Sequence, residues 1–349
     1  MKTVSFRAQL KGNISDFLHK EGMTCPETEE AILELVVALS HYTEEGVILF
    51  PRVILCDNLE RTLTVLQGSD PLKVGTGVKE VATILQALKR CAPLSSGDWM
   101  VFIQRDATMF HYGVFRTSSS LTALDVSDTL RSLAKEANDL KIILISQLAE
   151  KAVELIGARS GVFQVYLSAT PEDSPSPSEA LDNLTECCTR SAPEEVKEQL
   201  ASFLRKTFYY NLQHCHGTLI IIVKDIESIR PELTEDGVLF DKPIIITLLI
   251  QEYEKRQDYA STITLKAHAT LLRGMLLSDG IVIMDTYGNI WGYNFFVKYS
   301  GSSGPREASL VGGARRRAYN RLCELVEQGT IFACFIQSSD GRIEFYQKR

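Results

Sequence analysis

Apolar residues recur along this chain with two spacings, one typical of helices and the other of strands. Spacings of three and four residues predict amphipathic helices over residues 28–41 and 193–212. Continuous apolar runs, such as residues 217–223, predict buried strands. Because helices and strands interleave in both halves, the pattern predicts an α/β fold of mixed β-sheets flanked by helices.

The same criteria predict further elements. Residues 142–156 fit either a helix or a strand followed by a helix, and the pattern leaves both open. The other predicted helices cover residues 78–91, 125–137, 243–253, 261–276 and 315–328. The other predicted strands cover residues 47–56, 99–104, 109–116, 161–169, 280–284, 290–297, 331–337 and 342–346.

One segment near the middle interrupts the pattern. Three prolines lie among serines and acids between Thr170 and Ser178, a composition that suits neither a helix nor a central strand. The break predicts an N-terminal α/β domain over residues 1–170, with a regulatory or sensing role. A Pro/Ser-rich linker is expected over residues 171–192, and a second domain over residues 193–349.

Composition narrows the class of protein. The formal net charge of -7 argues against a nucleic-acid-binding surface, since such surfaces cluster basic residues. Eight cysteines without a CxxC pair indicate reduced thiols rather than a zinc site. The chain opens without a signal peptide, and its apolar runs are shorter than a membrane span. We therefore expect a soluble, cytoplasmic protein that does not bind membranes.

The first candidate for chemistry is Asp279-Gly280-Ile281, at the start of a predicted buried strand. A carboxylate there could bind a divalent metal or a ribose hydroxyl, and glycine allows a ligand to approach the backbone. An ordinary Asp-Gly turn into a strand is the alternative.

The second candidate is a glycine-rich start to a helix that also contains three arginines. Backbone amides and the helix dipole favour a phosphate at such a position, and arginine adds paired donors. A solvated basic turn is the alternative. The segment reads Gly312, Gly313, Ala314, Arg315, Arg316 and Arg317.

Two weaker candidates remain. Ser338-Ser339-Asp340-Gly341 is, as local sequence, a hairpin turn. His214 and His216 flank a cysteine but lack further ligands nearby, which favours structural histidines over a metal site.

In this order, the Asp-Gly strand, the hairpin, the arginine helix start and the closing turn resemble the diadenylate cyclase domain. The resemblance covers about residues 193–347 and is strongest to the cyclase-like sensor proteins of the DACNV type. That family has an Asp-Gly-Ala motif and an Arg-His-Arg motif. The chain departs from it at Ile281, at Ala314, at Arg316 and at Gln337-Ser338-Ser339, where the family has Ser-Glu-Glu.

The resemblance implies roles for particular residues. Asp279 would hold Mg²⁺ or Mn²⁺ if a nucleoside triphosphate binds, and Asp340 would be a second carboxylate. Arg315 and Arg317 would bind phosphates. Further nucleotide contacts would come from Gly280, Ile281, Gly312, Gly313, Ala314, Arg316, Ser338 and Ser339.

The departures favour binding over catalysis, because losing a carboxylate weakens a metal centre more than it weakens phosphate recognition. We therefore expect a nucleotide-binding sensor that recognises a purine nucleotide or a cyclic dinucleotide and forms a homodimer or a higher homo-oligomer. The alternatives are an active diadenylate or related nucleotidyl cyclase, and an interaction scaffold without a small ligand.

Overall fold

The chain forms two compact units, one of Met1–Ser120 with Leu124–Thr170 and one of Leu121–Ala123 with Pro171–Arg349. The computed structural model describes residues 6–135, 139–149, 151–167, 176–215, 217–234, 236–298, 313–338 and 342–348. Within these residues each unit is a mixed sheet with helices packed on its faces, which confirms the predicted α/β class.

The first unit is built on a seven-stranded sheet and adds a small two-stranded one. Its elements, in chain order, are α1 (Phe6–Lys20), α2 (Pro26–Leu39), β1 (Thr43–Glu44), β2 (Val47–Ile48), β3 (Val53–Cys56), α3 (Leu59–Leu66), β4 (Ser69–Val78), α4 (Val81–Cys91), β5 (Trp99–Arg105), β6 (Met109–Arg116), α5 (Val126–Leu133), β7 (Ile142–Ala149), β8 (Ala152–Gly157) and β9 (Gly161–Tyr166).

The sheet of the first unit is centred on its shortest buried strand. Its order is β4-β6-β5-β3-β7-β8-β9, with β3 parallel to β5 and antiparallel to β7. Alternate side chains point to opposite faces of the sheet. Val53 and Val101 pack with α1, α2 and α4, whereas Ile54 and Phe102 pack with α3 and α5. Helices on both faces explain why these strands are apolar throughout.

The second unit is built on a six-stranded sheet. Its elements, in chain order, are α6 (Pro177–Thr189), α7 (Glu194–His214), β10 (Thr218–Val223), α8 (Ile226–Ile229), β11 (Val238–Ile244), α9 (Ile246–Arg256), α10 (Tyr259–Leu276), β12 (Ile281–Asp285), β13 (Ile290–Phe295), α11 (Ala314–Glu327), β14 (Ala333–Gln337) and β15 (Ile343–Gln347).

The central strand of this second sheet is β10, in the order β11-β13-β12-β10-β14-β15. It is parallel to β12 and antiparallel to β14. Leu219, Ile221 and Ile283 pack with α8 and α11 on one face. On the other face α10 lies against β10, β12 and β13, and α6 lies against β14 and β15. None of the described helices is long and apolar enough to cross a membrane.

Most predicted elements are present within a few residues. The predicted helices over residues 28–41, 78–91, 193–212, 261–276 and 315–328 correspond to α2, α4, α7, α10 and α11. Both alternatives for residues 142–156 are wrong, because each included a helix and the segment forms the hairpin of β7 and β8. The helix predicted over residues 243–253 begins too early, because Pro243 lies in the edge strand β11, where its missing N–H breaks no ladder, and α9 begins at Ile246.

The predicted linker over residues 171–192 is wrong from residue 177 onward. Pro177–Thr189 forms α6, and the Ser176 hydroxyl accepts a hydrogen bond from the Glu179 amide at 3.0 Å. Proline suits the first turn of a helix because its missing N–H would have no partner there. Leu181 and Leu184 are buried, so α6 is part of the packed second unit. Residues 168–175 lie outside the described residues.

Two glycines offer a test of this packing. A Cβ at Gly113 in β6 would overlap the carbonyl oxygen of Leu72 on β4, whereas Gly12 in α1 has no atom within 4 Å of such a Cβ. We expect Gly113→Ala to lower the free energy of unfolding by about 1–3 kcal/mol, as overpacking does. Gly12→Ala should raise it by about 0.5–1 kcal/mol, because alanine favours helix interiors. Urea unfolding measures both, and equal effects would contradict the packing described.

Candidate functional site

The candidate site lies at the edge of the second sheet where its two parallel strands begin. Leu219 of β10 is in register with Ile281 of β12, so the residues that precede both strands meet at one edge. Gly217 lies before β10, and Asp279 lies before β12. The first turn of α11 reaches the same edge, because Arg315 contacts Asp279 there.

An exposed ion pair marks this edge. Nη2 of Arg315 donates a hydrogen bond to Oδ1 of Asp279 at 2.7 Å. The Asp279 side chain is 83% exposed and that of Arg315 is 23% exposed. Exposed pairs contribute only about 0–1 kcal/mol to stability. The contact therefore costs little to open, and both groups are accessible to a charged ligand.

Gly217 allows the arginine to lie against the start of β10. Its φ is +136°, a conformation that L side chains rarely adopt. A Cβ at this position would also overlap Nη1 of Arg315 and lie 2.8 Å from the carbonyl oxygen of Gln337. Any side chain here would displace Arg315 from the site. The sequence prediction treated Gly217 only as the start of a strand, although a glycine before a buried strand is a signal for close approach.

The N-terminus of α11 supplies backbone donors. Gly313 is the N-cap residue in an extended conformation, and no described side chain caps the helix. Gly313 and Ala314 are both exposed. The first amides of a helix lack intrahelical partners and lie at the positive end of the dipole, which favours an anion. These two predicted residues therefore lie where a phosphate could bind, whereas Gly312 is outside the described residues.

Two other predicted residues have structural roles. A Cβ at Gly280 would overlap backbone atoms of Asn294, so glycine is needed where β12 meets β13. Asn294 itself has a φ of 61°, consistent with an irregular register between these strands. Ile281 is 1% exposed and packs in the core with Leu219. The predicted contact between the Ile281 side chain and a ligand is therefore wrong, because that side chain faces the core.

Arg316 also differs from its predicted role. Its guanidinium donates to both carboxylate oxygens of Glu344 on β15, at 2.8 and 2.5 Å. Burial alone would raise the pKa of Glu344, but the hydrogen bonds and charges of Arg316 and Arg342 hold it below its ordinary value. Arg316 thus joins α11 to the last strand of the sheet and does not point to the phosphate position.

Arg315 and Arg317, which the resemblance assigns to phosphates, do not share a face of α11. Both residues lie in the first turn of α11. Residues two apart on a helix are separated by about 200° around its axis and do not share a face. Arg315 contacts Asp279, so by helical phase Arg317 starts from the opposite side of the helix.

The closing hairpin of the sheet involves Ser338. Its amide and its hydroxyl both donate to the carbonyl oxygen of Arg342, at 2.8 and 3.0 Å. Ser338 therefore closes the turn between β14 and β15. Ser339 and Asp340 lie outside the described residues, so the predicted second carboxylate stays a prediction.

Polar residues near this edge make contacts that the sequence interpretation did not predict. Nε2 of Gln337, a buried residue, donates to the carbonyl oxygen of Leu212 at 2.8 Å, and the Cys215 thiol donates to Oε1 of Gln337 at 2.9 Å. The Tyr210 and His214 rings stack at 3.9 Å. The only sequence signal for the stacked pair is its spacing of four residues in a helix. No cluster of three potential metal ligands occurs in the ranges that the structure describes.

Comparison with known proteins adds no assignment. No family model, no curated protein and no solved structure matches the chain.

Adjacent arginines of α11 should differ sharply in their effect on stability. Arg316→Ala would leave the half-buried Glu344 carboxylate without its bidentate partner, and we expect it to lower the free energy of unfolding by about 1–3 kcal/mol. Arg315→Ala breaks an exposed pair and should change it by less than about 1 kcal/mol. Guanidinium chloride unfolding at pH 7 compares the two. A larger loss for Arg315→Ala would contradict the placement of both side chains.

Proposed function

We propose that this protein is a nucleotide-binding sensor whose second unit has a diadenylate-cyclase-like fold. Its ligand would be a purine nucleotide or a cyclic dinucleotide, bound through a phosphate at the start of α11. The observation that supports this most directly is the exposed Arg315–Asp279 pair beside a helix N-terminus that no described side chain caps.

The chemistry of this edge suits a phosphate. A phosphate oxygen would accept from the Arg315 guanidinium and from the first amides of α11 together, and charge-assisted bonds of this kind are the strong ones. Arg315 donates to Asp279. An incoming phosphate competes with that carboxylate for the same cation, so Asp279 opposes binding by charge and makes it weaker than an unopposed arginine would.

Two contacts favour binding over catalysis. A metal ion at Asp279 would have to displace the Arg315 guanidinium from the carboxylate, or bind the carboxylate oxygen that Arg315 leaves open. Arg316, which the resemblance assigns to phosphate, is engaged by Glu344. A nucleotidyl transfer needs several positive groups around the reacting phosphate. Among the described residues, this edge shows one arginine in that position, and Mg²⁺ or Mn²⁺ would arrive with a bound triphosphate.

The second candidate function is an active cyclase. It would require two nucleotides opposed across a contact between two such units, each with a metal ion at Asp279. The exposure of that carboxylate at the sheet edge is the observation that keeps this candidate open.

Equilibrium dialysis with ATP and GTP, with and without Mg²⁺, tests the sensor proposal. Arg315→Gln should weaken nucleotide binding by roughly 10- to 100-fold, because a hydrogen bond to a charged group contributes about 1.5–3 kcal/mol. Arg317→Gln is the matched control, since it removes the same charge from the opposite side of the same helix turn. Equal weakening by both variants would show that the site depends on net charge rather than on Arg315.

Asp279→Asn separates the two functions. For a sensor, removing the carboxylate takes away the negative charge that competes with phosphate for Arg315, so nucleotide binding without metal should strengthen by several-fold. For a cyclase, the same change removes the metal ligand, and product formation should cease. Chromatography of reactions with ATP and Mn²⁺ measures product. Cyclic dinucleotide that forms with the unchanged protein and disappears with Asp279→Asn would replace the sensor proposal by the enzyme.

A further inference from the structure

The two units of the chain repeat one topology. Omitting β9, the sheet of the first unit has the order β4-β6-β5-β3-β7-β8, and that of the second has β11-β13-β12-β10-β14-β15. If the six strands of each order are numbered along the chain, both sheets have the spatial order 2-4-3-1-5-6. In both, the first strand is parallel to the third and antiparallel to the fifth. A helix precedes the fifth strand in each unit.

Helix caps fix which residues correspond. β3 ends at Cys56, and Asn58 caps the next helix by accepting a hydrogen bond from the Arg61 amide. β10 ends at Val223, and Asp225 caps the next helix by accepting a hydrogen bond from the Glu227 amide. Both caps follow their strand by two residues. This match aligns the central strands without a gap, and the sheet registers extend it to their neighbours.

A buried glutamine occupies the same position in both sheets. The registers align Gln147 with Gln337, and each is at most 3% exposed. Nε2 of Gln147 donates to the carbonyl oxygen of Ser40, at the end of α2. Nε2 of Gln337 donates to that of Leu212, in the last turn of α7. Each glutamine thus ties the fifth strand to the helix before the first strand.

A glutamate lies seven residues after each glutamine, and in both units it accepts hydrogen bonds from an arginine of the helix before the fifth strand. Glu154 on β8 accepts from Arg131 of α5, at 3.2 Å. Glu344 on β15 accepts from Arg316 of α11, at 2.8 Å. The units therefore share contacts as well as topology, and their sheet edges can be compared residue by residue.

The edge that holds the candidate phosphate site differs between the copies. The register of β5 with β3 aligns Asp98 with Asp279. In the second unit the N-cap of the helix at this edge is Gly313, and Arg315 lies in its first turn. In the first unit the corresponding helix, α5, begins with an acid, Asp125.

The Asp125 carboxylate already has the partners that a phosphate would take. It accepts hydrogen bonds from the Ser127 amide at 2.9 Å and from the Arg52 guanidinium at 2.9 and 2.5 Å. Burial alone would raise the pKa of Asp125, but the charge and hydrogen bonds of Arg52 and the Ser127 bonds hold it well below its ordinary value. An anion of the chain itself thus lies between an arginine and a helix N-terminus.

We propose that Asp125 closes the first unit to phosphate, so that each chain binds one nucleotide, in the second unit. The inference rests on the proposed function for the second site. It goes beyond that function by identifying Asp125 as the residue that makes the two units differ in phosphate binding. The neutral replacement Asn would still cap α5, but it would remove the negative charge that lies between the Arg52 guanidinium and the helix N-terminus.

Nucleotide stoichiometry tests the proposal. Equilibrium dialysis with ATP should give one nucleotide per chain for the unchanged protein and two for Asp125→Asn. Asp258→Asn is the matched control, because Asp258 caps α10 by accepting from the Ser261 amide at 2.8 Å. This variant should still bind one nucleotide per chain. The double variant Asp125→Asn with Arg315→Gln should retain only the new site. A folded Asp125→Asn protein with a single site would overturn the closure.

Inorganic phosphate provides a second measurement that does not depend on the proposed function. At equal ionic strength, phosphate in place of chloride should raise the unfolding midpoint of Asp125→Asn by about 2–4 °C more than that of the unchanged protein. No ATP binding by the unchanged protein, together with this shift, would reject the sensor and retain the closure. If the unchanged protein binds two nucleotides and Arg52→Gln removes one of them, the first unit is not closed, although the sensor proposal stands. This result would be decisive even if Asp125→Asn fails to fold.

Discussion

The parallel pairing of β10 with β12 is the contact on which the candidate site depends. Parallel strands begin at the same edge of a sheet, so residues 62 positions apart in sequence, Gly217 and Asp279, become neighbours. The antiparallel pairing of β10 with β14 brings Gln337 to that edge as well. The site residues therefore come from chain segments that only the sheet unites, and α11 adds its N-terminus to them.

The sequence predicted β10 well, for a clear physical reason, whereas it predicted a helix in the buried segment that forms β7 and β8. Each residue of β10 is apolar or threonine, and this run stops two residues before the helix-capping Asp225. The sequence therefore shows where the strand ends. β4 was missed because Pro71, Gly75 and Gly77 resemble a loop. These residues are tolerated because β4 lies at the edge of its sheet, where pairing is needed on one side only. Edge position is a tertiary property that local composition does not reveal.

The candidate site was predicted in part. The resemblance assigned Asp279 and Arg315 to one nucleotide site, and the structure places the two side chains in contact. Helical phase alone, read from the sequence, separates Arg317 from Arg315 around the axis of α11. It could not assign Arg316, because the partner of that residue, Glu344, lies 28 positions away in the next hairpin. Nor did the sequence show the duplication, since the matched residues of the two units are isolated positions within dissimilar segments.

Gly217 has a consequence for how this protein tolerates mutation. Its φ of +136° excludes most side chains by backbone conformation, and the contact with Arg315 excludes the rest by volume. Those two constraints are independent, so no single substitution can satisfy both. By contrast, Gly313 has open space around it. A scan of all replacements should therefore find position 217 restricted to glycine, while position 313, at the same edge, accepts small polar residues.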